Sequence, residues 1–458
     1  MNIRAFFAIL LCKLLRGLSR LLHRGGTAIP GRWALRICPS LPALLARDLK
    51  IVAITGTNGK TTSSRIIEEA FSRAGLNYLA NRSGANLASG ITTELVMNSS
   101  LTGRMKKEYA VLECDERASS ALFGQLKPQV IVVTNLFRDQ LDRYGEVTHT
   151  LENIRTAIQG APEATLCLNA DCSLTSSLAL DLPNPVVWFG IEKGAMPSRP
   201  LPEISDATHC IRCKTAYEYD YVSYGHLGGF RCPHCGYRRH PADVAVTEVV
   251  EQRMDGSSIL LSLRGEKHLV NVNLPAVYNI YNAAGAVAAV TAMGLPAETA
   301  IQALGSFQCG FGRMEQFDLG QAGAKMMLVK NPAGCNQVIE FLQNVKEPFV
   351  LAVFLNDRGA DGTDVSWIWD ADFEGLQALG GRLTEVIVSG DRAGDMRVRM
   401  KYAGIPDGRI RVERDYARLV DWIAGQEKPV FLMPTYTAML ELRQAVIHKV
   451  GGQEFWEK

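Results

Sequence analysis

The sequence predicts an α/β protein with parallel sheets, arranged as two domains, and with a small cysteine-rich module inserted in the first domain. Three observations predict this class. Short apolar runs alternate with helical patterns in both halves of the chain, as in strand–helix–strand units. A glycine turn and a lysine follow the first strand of the first domain. Two Cys-x-x-Cys pairs lie in a stretch with little aliphatic content.

Composition limits the class of protein. A chain of 458 residues is long enough for several domains with their own cores. A hydrophobic content of 47% and a net charge of only +2 are typical of an ordinary globular protein. They argue against a disordered chain and against a general polyanion binder. Eleven cysteines are too few for a disulfide scaffold and indicate a reducing compartment.

The N-terminal helical segment, residues 1–48, begins with an amphipathic basic helix. Five basic residues stand among its leucines, isoleucines and phenylalanines: Arg4, Lys13, Arg16, Arg20 and Arg24. Its longest charge-free stretch, 5–12, is far shorter than the roughly 20 residues that span a bilayer, so we expect neither secretion nor a membrane span. The helix either lies on an anionic membrane surface or docks its apolar face on the following domain. We expect a cytoplasmic protein, with a peripheral position at the inner face of the plasma membrane left open.

The first α/β domain is predicted over residues 49–318. Its strands are the apolar runs 51–55, 109–113, 130–135, 165–169 and 186–189. The stretch 269–297 has no charged side chain, but it contains prolines and asparagines that would leave polar groups unpaired in lipid. We therefore expect a helix buried in the protein and no membrane span. The second α/β domain is predicted over residues 319–458, with strands in the runs 326–329, 348–355, 385–389 and 430–433.

The segment 51–62 has the order that phosphate binding requires. An apolar strand leads into a glycine turn, and Lys-Thr-Thr opens a helix. Such a turn directs backbone N–H groups at an anion, Lys60 neutralises β/γ-phosphate charge, and the Thr61 hydroxyl can hold Mg²⁺. Ile54 stands where the general pattern has its first glycine, so the loop is a variant. The predicted nucleotide-binding residues are Gly56, Thr57, Asn58, Gly59, Lys60, Thr61 and Thr62.

The cysteine module, about residues 205–240, contains the pairs Cys210/Cys213 and Cys232/Cys235. This spacing predicts a four-thiolate zinc site without an open coordination position, so the metal is expected to be structural. Another thiolate-bound metal and redox thiols are the alternatives. A basic cluster follows the second pair, and with so small a net charge we expect it to be a solvated face or a subunit contact and no nucleic-acid site. The cluster is Arg231, Arg238, Arg239 and His240.

An acidic run, residues 356–370, follows the apolar strand 350–355 of the second domain. Ligands of open α/β sheets bind beyond the carboxyl ends of parallel strands, so the run is a candidate site. A turn whose aspartates cap the next helix explains the same residues equally well. An EF-hand is excluded because the offsets differ and no glutamate closes the loop.

The phosphate loop resembles that of the Mur ligases and folylpolyglutamate synthases, which join an amine to a carboxylate through an acyl phosphate. Glu113, at a strand end, is similar to that family's Mg²⁺-binding glutamate, and 134–145 is similar to its T-N-x-x-x-D-H-L-D stretch. Residues 278–282 resemble its H-N-x-x-N motif, which implies that Asn279 contacts the nucleotide, and Arg313 is assigned to the same site. Gln140 replaces the family histidine, and no lysine lies between 140 and 159. The resemblance therefore implies one Mg²⁺, at Thr61 and Glu113, and leaves a second open.

The acidic run narrows the resemblance. Together with 25–31, 328–337, 434–439 and the cysteine module, it is similar to the MurT family, the ligase subunits of lipid II isoglutaminyl synthase. The resemblance implies a Mur ligase-type central P-loop domain with an inserted zinc ribbon, followed by a Rossmann-like α/β C-terminal domain. It implies ATP-dependent amidation of the α-carboxylate of D-isoglutamate in the lipid II stem peptide.

The same resemblance implies a heterodimer with a glutaminase subunit, GatD, that supplies ammonia. No cysteine of this chain lies in a G-x-C-x-G elbow, which agrees with an external ammonia source. Lys60, Lys330 and Mg²⁺ are then expected to offset charge on the transferring phosphoryl group. Asp357 is expected to orient the partner's histidine as the third member of a Cys-His-Asp triad.

Two other functions stay open. An amino-acid-adding ligase of the Mur or folylpolyglutamate type is the first, and Tyr278 in place of the motif histidine counts against it. A zinc-ribbon adaptor without enzymatic activity is the second, and it leaves Lys60, Glu113 and Asn279 unexplained.

Overall fold

The computed structural model describes residues 3–21, 28–81, 85–139, 147–202, 205–253, 255–307, 313–321 and 323–451. The chain divides into two compact units. The first comprises residues 1–137 and 147–307, and the second comprises 138–146 and 308–458.

The first unit is built on a large sheet and a separate hairpin. Its strands are β1 (Lys50–Thr55), β2 (Tyr78–Ala80), β3 (Tyr109–Glu113), β4 (Val130–Val133), β5 (Thr165–Asn169), β6 (Val186–Ile191), β7 (Glu218–Tyr224), β8 (Leu227–Arg231), β9 (Val244–Gln252), β10 (Ser257–Leu263) and β11 (Glu266–Val272). Nine strands form one sheet in the order β11-β10-β9-β6-β5-β4-β1-β3-β2. Neighbours from β9 to β2 are parallel, whereas β9, β10 and β11 are antiparallel. Strands β7 and β8 form an antiparallel hairpin of their own.

The helices of the first unit surround this sheet. They are α1 (Ile3–Leu21), α2 (Ala28–Ile37), α3 (Leu41–Ala46), α4 (Lys60–Arg73), α5 (Ala88–Met97), α6 (Glu116–Leu126), α7 (Val147–Gln159), α8 (Ser173–Ser176), α9 (Val277–Ala292) and α10 (Ala297–Ser306). The buried helix predicted within the charge-free stretch is confirmed as α9, whose small apolar side chains are almost all buried. The first residues of the stretch, 269–272, belong to β11, where buried and exposed side chains alternate as in an edge strand.

The helix α1 docks one face on the first unit and leaves another face exposed. Ala5, Ala8, Ile9 and Cys12 are buried, and α1 packs against α2 and α5. Docking, one of the two predicted roles of this helix, is therefore confirmed for one face. Among the described residues, no helix is both long and apolar enough to cross a bilayer.

The second unit is a smaller α/β sheet. Its strands are β12 (Arg313–Phe317), β13 (Ala324–Met327), β14 (Phe349–Phe354), β15 (Leu383–Ser389), β16 (Ile410–Val412) and β17 (Val430–Pro434). Their order is β12-β13-β17-β14-β15-β16, and β12 alone among them pairs antiparallel. The helices are α11 (Pro332–Gln343), α12 (Ala393–Tyr402), α13 (Tyr416–Ala424) and α14 (Tyr436–Val450). Because β14, β15 and β17 are parallel, their carboxyl ends lie at the same edge of the sheet.

Candidate active site

The phosphate loop joins β1 to α4, and two of its glycines are required by their surroundings. Gly56 and Gly59 have φ of +115° and +87°, which side-chain-bearing residues rarely adopt. A Cβ at Gly56 would lie 2.5 Å from Thr134 Oγ1, and one at Gly59 would lie 2.0 Å from Asn282 Oδ1. Larger residues would therefore push the loop away from the segments that support it.

The segment after β4 holds the phosphate loop in place. The Thr57 N–H donates to the Asn135 carbonyl (2.9 Å), and the Asn58 N–H donates to Asn135 Oδ1 (3.0 Å). Thr134 Oγ1 donates to the Asn58 carbonyl (2.7 Å). The Thr57 hydroxyl bonds the Phe137 backbone. The T-N stretch thus supports the loop directly, a role that the sequence did not indicate.

Lys60, the first residue of α4, is buried inside the loop. Its Nζ lies 2.5 Å from the Gly56 carbonyl oxygen and 2.7 Å from Glu116 Oε1. Burial lowers the pKa of Lys60, but the charge and hydrogen bond of Glu116, together with the charges of Glu113 and Asp115, outweigh burial, so the pKa is raised above its usual value. The lysine is therefore a fixed cation with a buried counter-ion. Glu116 was not predicted as a site residue, although it lies in the same acidic stretch as Glu113.

Glu113 ends β3 and is buried beside the phosphate loop. Parallel pairing places it opposite Ile54 of β1. Asn81 binds its backbone on both sides, accepting from the N–H (2.9 Å) and donating to the carbonyl (2.7 Å). Asn86 donates to Glu113 Oε1 (3.2 Å). A buried carboxylate, held by Asn86 and close enough to act on the charge of Lys60, offers the oxygen ligands that Mg²⁺ prefers.

Two asparagines of α9 meet the phosphate loop from the other side. Asn282 contacts Gly59, and its Nδ2 donates to Asn279 Oδ1 (3.0 Å). Asn279 Nδ2 donates to the Pro275 carbonyl (2.6 Å). The structure thus brings Asn279 near the loop through Asn282, which was not predicted. Gln140 and the side chain of Arg313 lie outside the described part of the chain.

The four predicted zinc ligands lie together. The Sγ atoms of Cys210, Cys213, Cys232 and Cys235 are all within 4.8 Å of one another. A zinc ion with bonds of about 2.3 Å to four sulfurs needs sulfur–sulfur distances of about 3.8 Å. The pairs Cys210–Cys235 (3.5 Å) and Cys213–Cys232 (3.4 Å) are close to that value. The cluster therefore fits a tetrahedral thiolate-bound metal.

A buried carboxylate joins the cysteine module to the rest of the first unit. Asp171 receives a hydrogen bond from Arg239 Nε (2.6 Å) and another from the Tyr281 hydroxyl (2.5 Å). Arg239 also pairs with Glu192 (3.1 Å). The prediction of a solvated basic face is therefore wrong for Arg239, because Asp171 draws its guanidinium into the interior. Arg231 does fit the prediction, since it is exposed.

The acidic run of the second unit contains two kinds of aspartate. Asp361 accepts hydrogen bonds from the Thr437 N–H (2.7 Å) and hydroxyl (2.5 Å) at the start of α14. Asp364 accepts from the Ser366 N–H (2.8 Å). Asp361 and Asp364 therefore cap the starts of helices, as one of the two predictions for this run proposed. Asp357 does not, because its Oδ2 accepts from Arg392 Nη1 (3.0 Å) and the side chain is partly exposed (31%).

Lys330 follows β13 and pairs with an acidic residue from a distant part of the sequence. Its Nζ lies 2.7 Å from Asp139 Oδ2, and Asn331 Nδ2 lies 3.3 Å from Asp139 Oδ1. Asp139 belongs to the T-N-x-x-x-D stretch and, by its contacts, to the second unit. Lys330 is thus held by a partner that was not predicted.

A parallel sheet, a variant phosphate loop and a strand-end glutamate define an ATP-binding ligase domain of the Mur type. The family described as "Mur ligase middle domain" matches residues 54–210, and "MurT ligase C-terminal" matches residues 328–439. The chain is 35% identical, over 429 residues and 93% of both chains, to the lipid II isoglutaminyl synthase (glutamine-hydrolyzing) subunit MurT of Streptococcus pneumoniae. It is 31% identical to the MurT subunit of Staphylococcus aureus strain COL, over 98% of this chain and all of that one.

The chain belongs to the MurT family and is a ligase. A solved structure of MurF from Acinetobacter baumannii matches 92% of this chain and 81% of that one with a TM-score of 0.67 at 16% identity, which shows the Mur ligase fold. The predicted family, fold class and enzyme class are thereby confirmed, and the zinc-ribbon adaptor is set aside. Mur ligases use ATP and Mg²⁺.

Proposed function

We propose that this chain is the ligase subunit of a lipid II isoglutaminyl synthase. It amidates the α-carboxylate of D-isoglutamate in the lipid II stem peptide, with ATP and with ammonia from a GatD-like glutaminase subunit. The observation that carries the proposal is similarity over nearly the whole chain to two subunits named for this reaction. The described phosphate loop, with its buried lysine, supports it.

The reaction needs two displacement steps because a carboxylate is a poor electrophile. A carboxylate oxygen attacks the γ-phosphorus of ATP, the bond from that phosphorus to the β,γ-bridging oxygen breaks, and ADP leaves. Ammonia then attacks the carbonyl carbon of the acyl phosphate. The bond from this carbon to the phosphate oxygen breaks, phosphate leaves, and the nitrogen loses a proton to give the amide.

The phosphate loop positions ATP for the first step. We assign the backbone N–H groups of the first turn of α4, from Lys60 to Thr62, to the phosphates, and Lys60 offsets charge on the transferring group. Mg²⁺ at Thr61 and Glu113 supplies further charge neutralisation when bound. Asn279 contributes to nucleotide binding from α9, and Arg313 is assigned to the same nucleotide.

The second unit contributes residues for phosphoryl transfer and for ammonia supply. We assign Lys330, held by Asp139, to the acyl phosphate. We assign Asp357 to the histidine of the glutaminase partner. Arg392 binds one of its carboxylate oxygens, which leaves the other for an imidazole N–H.

The zinc site is assigned a structural role. Four thiolates fill the coordination shell, so no position is left for substrate or water. Because Arg239 and Tyr281 both contact Asp171, an ordered cysteine module also supports α9, which carries Asn279 and Asn282.

We further propose that the chain works at the cytoplasmic face of the membrane that holds its substrate. Residues 1–47 contain eight basic residues and no acidic one. A stripe on α1, formed by Ile3, Phe7, Leu14 and Leu18, is more than half exposed. Basic charge beside exposed apolar side chains is the combination that anionic membrane surfaces bind.

One experiment tests the central proposal. The chain is co-expressed with its glutaminase partner, and the purified complex is given ATP, Mg²⁺ and lipid II with either glutamine or ammonium. Mass spectrometry should show D-isoglutamine in the product with both donors. A product extended by an amino acid would support the amino-acid-adding ligase instead, and no ATP-dependent product with either donor would contradict the proposal.

A further inference from the structure

A cavity of about 480 Å³ opens on the first unit, lined by α2, the N-terminal end of α5 and the first turn of α6. Three arginines line it: Arg32 and Arg36 from α2, and Arg117 from α6. Leu35 and Leu87 add apolar surface to the same wall. None of the residues assigned above to ATP, zinc or the partner takes part in it.

The three guanidinium groups have no anionic partner among the described residues, where no ion pair involves Arg32, Arg36 or Arg117. The Arg36 guanidinium lies 5.0 Å from the centre of the Trp33 ring. Guanidinium groups bind phosphate oxygens with paired hydrogen bonds. Three exposed arginines beside a mostly apolar cavity therefore favour an amphiphilic ligand that carries phosphate oxygens.

The cavity is connected to the Mg²⁺-binding glutamate by two short segments. Asn86, which donates to Glu113 Oε1 (3.2 Å), directly precedes Leu87 of the cavity wall. The Asp115 N–H donates to the Asn86 carbonyl (3.0 Å), and the Asp115 carboxylate caps α6 at the Arg117 N–H (3.0 Å). The wall of the cavity is therefore linked through Asn86 to the carboxylate that is assigned to the reacting phosphates.

The helix α2 has an apolar side next to its arginines. Ile29 and Trp33 are 59% and 46% exposed. Gly31 lets α2 pack directly on α5, because a Cβ there would lie 1.8 Å from the Ser89 carbonyl oxygen. The backbone of α2 is thus fixed beside the cavity, while the exposed side chains of the same helix can meet lipid.

We propose that this cavity, which we call the three-arginine cavity, binds the pyrophosphate group of the lipid-linked substrate. This inference rests on the proposed function, since lipid II joins its sugar to a polyprenyl chain through a pyrophosphate. Arg32, Arg36 and Arg117 bind the phosphate oxygens, and the prenyl chain leaves along the exposed side of α2. The site fixes the sugar end of the substrate while the stem peptide extends toward Glu113.

A binding experiment with the purified full-length chain tests the cavity without the reaction. The probes are farnesyl pyrophosphate, farnesyl monophosphate and inorganic pyrophosphate, titrated by calorimetry. Farnesyl pyrophosphate should bind most tightly, and Arg32→Gln and Arg117→Gln should each weaken it about tenfold or more, as expected for a charge-assisted hydrogen bond. Arg104→Gln, at an exposed arginine of the same unit, should not change binding. Equal binding of all three probes, or unchanged binding in both cavity variants, would overturn the proposal.

Kinetics then connect the cavity to the substrate. With the complex and saturating ammonium, the cavity variants should raise KM for lipid II about tenfold and leave KM for ATP unchanged. A lipid-free muramoyl dipeptide, which has no pyrophosphate, should be amidated equally by wild type and variants. An increased KM for ATP would assign the cavity to the nucleotide and contradict the proposal. If wild type amidates neither substrate, the proposed function fails, while the farnesyl pyrophosphate titration still decides the cavity.

Discussion

Lys60 Nζ lies 2.7 Å from Glu116 Oε1, and both side chains are less than a tenth exposed. The lysine that would face ATP phosphates is therefore already paired inside the protein. A buried charge whose partner is removed is strongly destabilising, so Glu116 holds the loop together in the absence of nucleotide. When ATP is bound, its phosphate oxygens provide a second set of negative charges for the same cation.

Glu116→Gln should therefore destabilise the nucleotide-free chain by about 3 kcal/mol, and ATP should restore part of this loss. Because the pKa of Lys60 is raised above 10.5, the stabilisation from this pair should be present at neutral pH and disappear only as the pH rises through that raised pKa. Urea unfolding with and without ATP measures the loss of stability and its recovery.

The matched control is Glu69→Gln, in an exposed pair with Arg73. It should cost less than about 1 kcal/mol of stability. Equal stability of Glu116→Gln and wild type would show that the buried pair is not needed.

Lys60→Ala should abolish amidation with glutamine and with free ammonium alike. Its charge acts on the phosphoryl group before ammonia enters the reaction, so no nitrogen source can replace it. We expect a loss in kcat of at least about 100-fold, measured with lipid II and both donors. Lys193→Ala, at an exposed turn, should keep full activity. Substantial amidation by Lys60→Ala with ammonium would remove Lys60 from the ATP site.

Asp357→Asn should lose glutamine-dependent amidation and keep ammonium-dependent amidation. An amide in place of the carboxylate cannot hold the partner histidine in the correct tautomer, and such a change costs about 10⁴-fold in a related triad. Asp364→Asn is the matched control, because asparagine also caps the Ser366 N–H that Asp364 binds. If ammonium fails to rescue Asp357→Asn, Asp357 takes part in the ligase step and the assignment to the glutaminase is wrong.

Local sequence patterns predicted the strands well because the buried strands are short apolar runs. The predicted run 109–113 is β3 to the residue, and 165–169 is β5. The short edge strand β2 was not predicted, since three residues with partial burial leave no periodic signal.

The site residues could be predicted only where a single segment of the sequence contains the whole motif. The glycines, Lys60 and the four cysteines are local motifs. Glu116, Asn282 and Asp171 act through partners 56 to 223 residues away in the sequence, and spacing within a motif says nothing about such pairs. Arg239 was misjudged for the same reason, because its partner Asp171 lies in another segment.

Replacing one zinc ligand should remove the metal and loosen the contacts around Asp171. We expect about one zinc ion per wild-type chain and none in Cys232→Ser, because three thiolates no longer complete the shell. Metal analysis and thermal unfolding measure the two effects, and Cys38→Ser, at a buried cysteine outside the cluster, should keep its zinc. A wild-type chain that is purified without any thiolate-bound metal, yet is stable to chelators, would contradict the structural role.

The exposed stripe of α1 should govern binding to membranes. Leu14 is 62% exposed on a helix with basic residues on either side. Leu14→Gln removes apolar area from the exposed side of α1. Because the side chain is exposed, the free energy of unfolding should change by less than about 0.5 kcal/mol.

Sedimentation with vesicles measures the binding. Wild type should bind anionic vesicles more than neutral ones, and salt should weaken this binding. Leu14→Gln should bind several-fold less than wild type, since full burial of a leucine is worth about 2 kcal/mol. Leu180→Gln, at an exposed leucine elsewhere on the first unit, should bind as wild type does. Equal binding of wild type and Leu14→Gln, or no preference for anionic lipid, would show that α1 serves only to dock on its own domain.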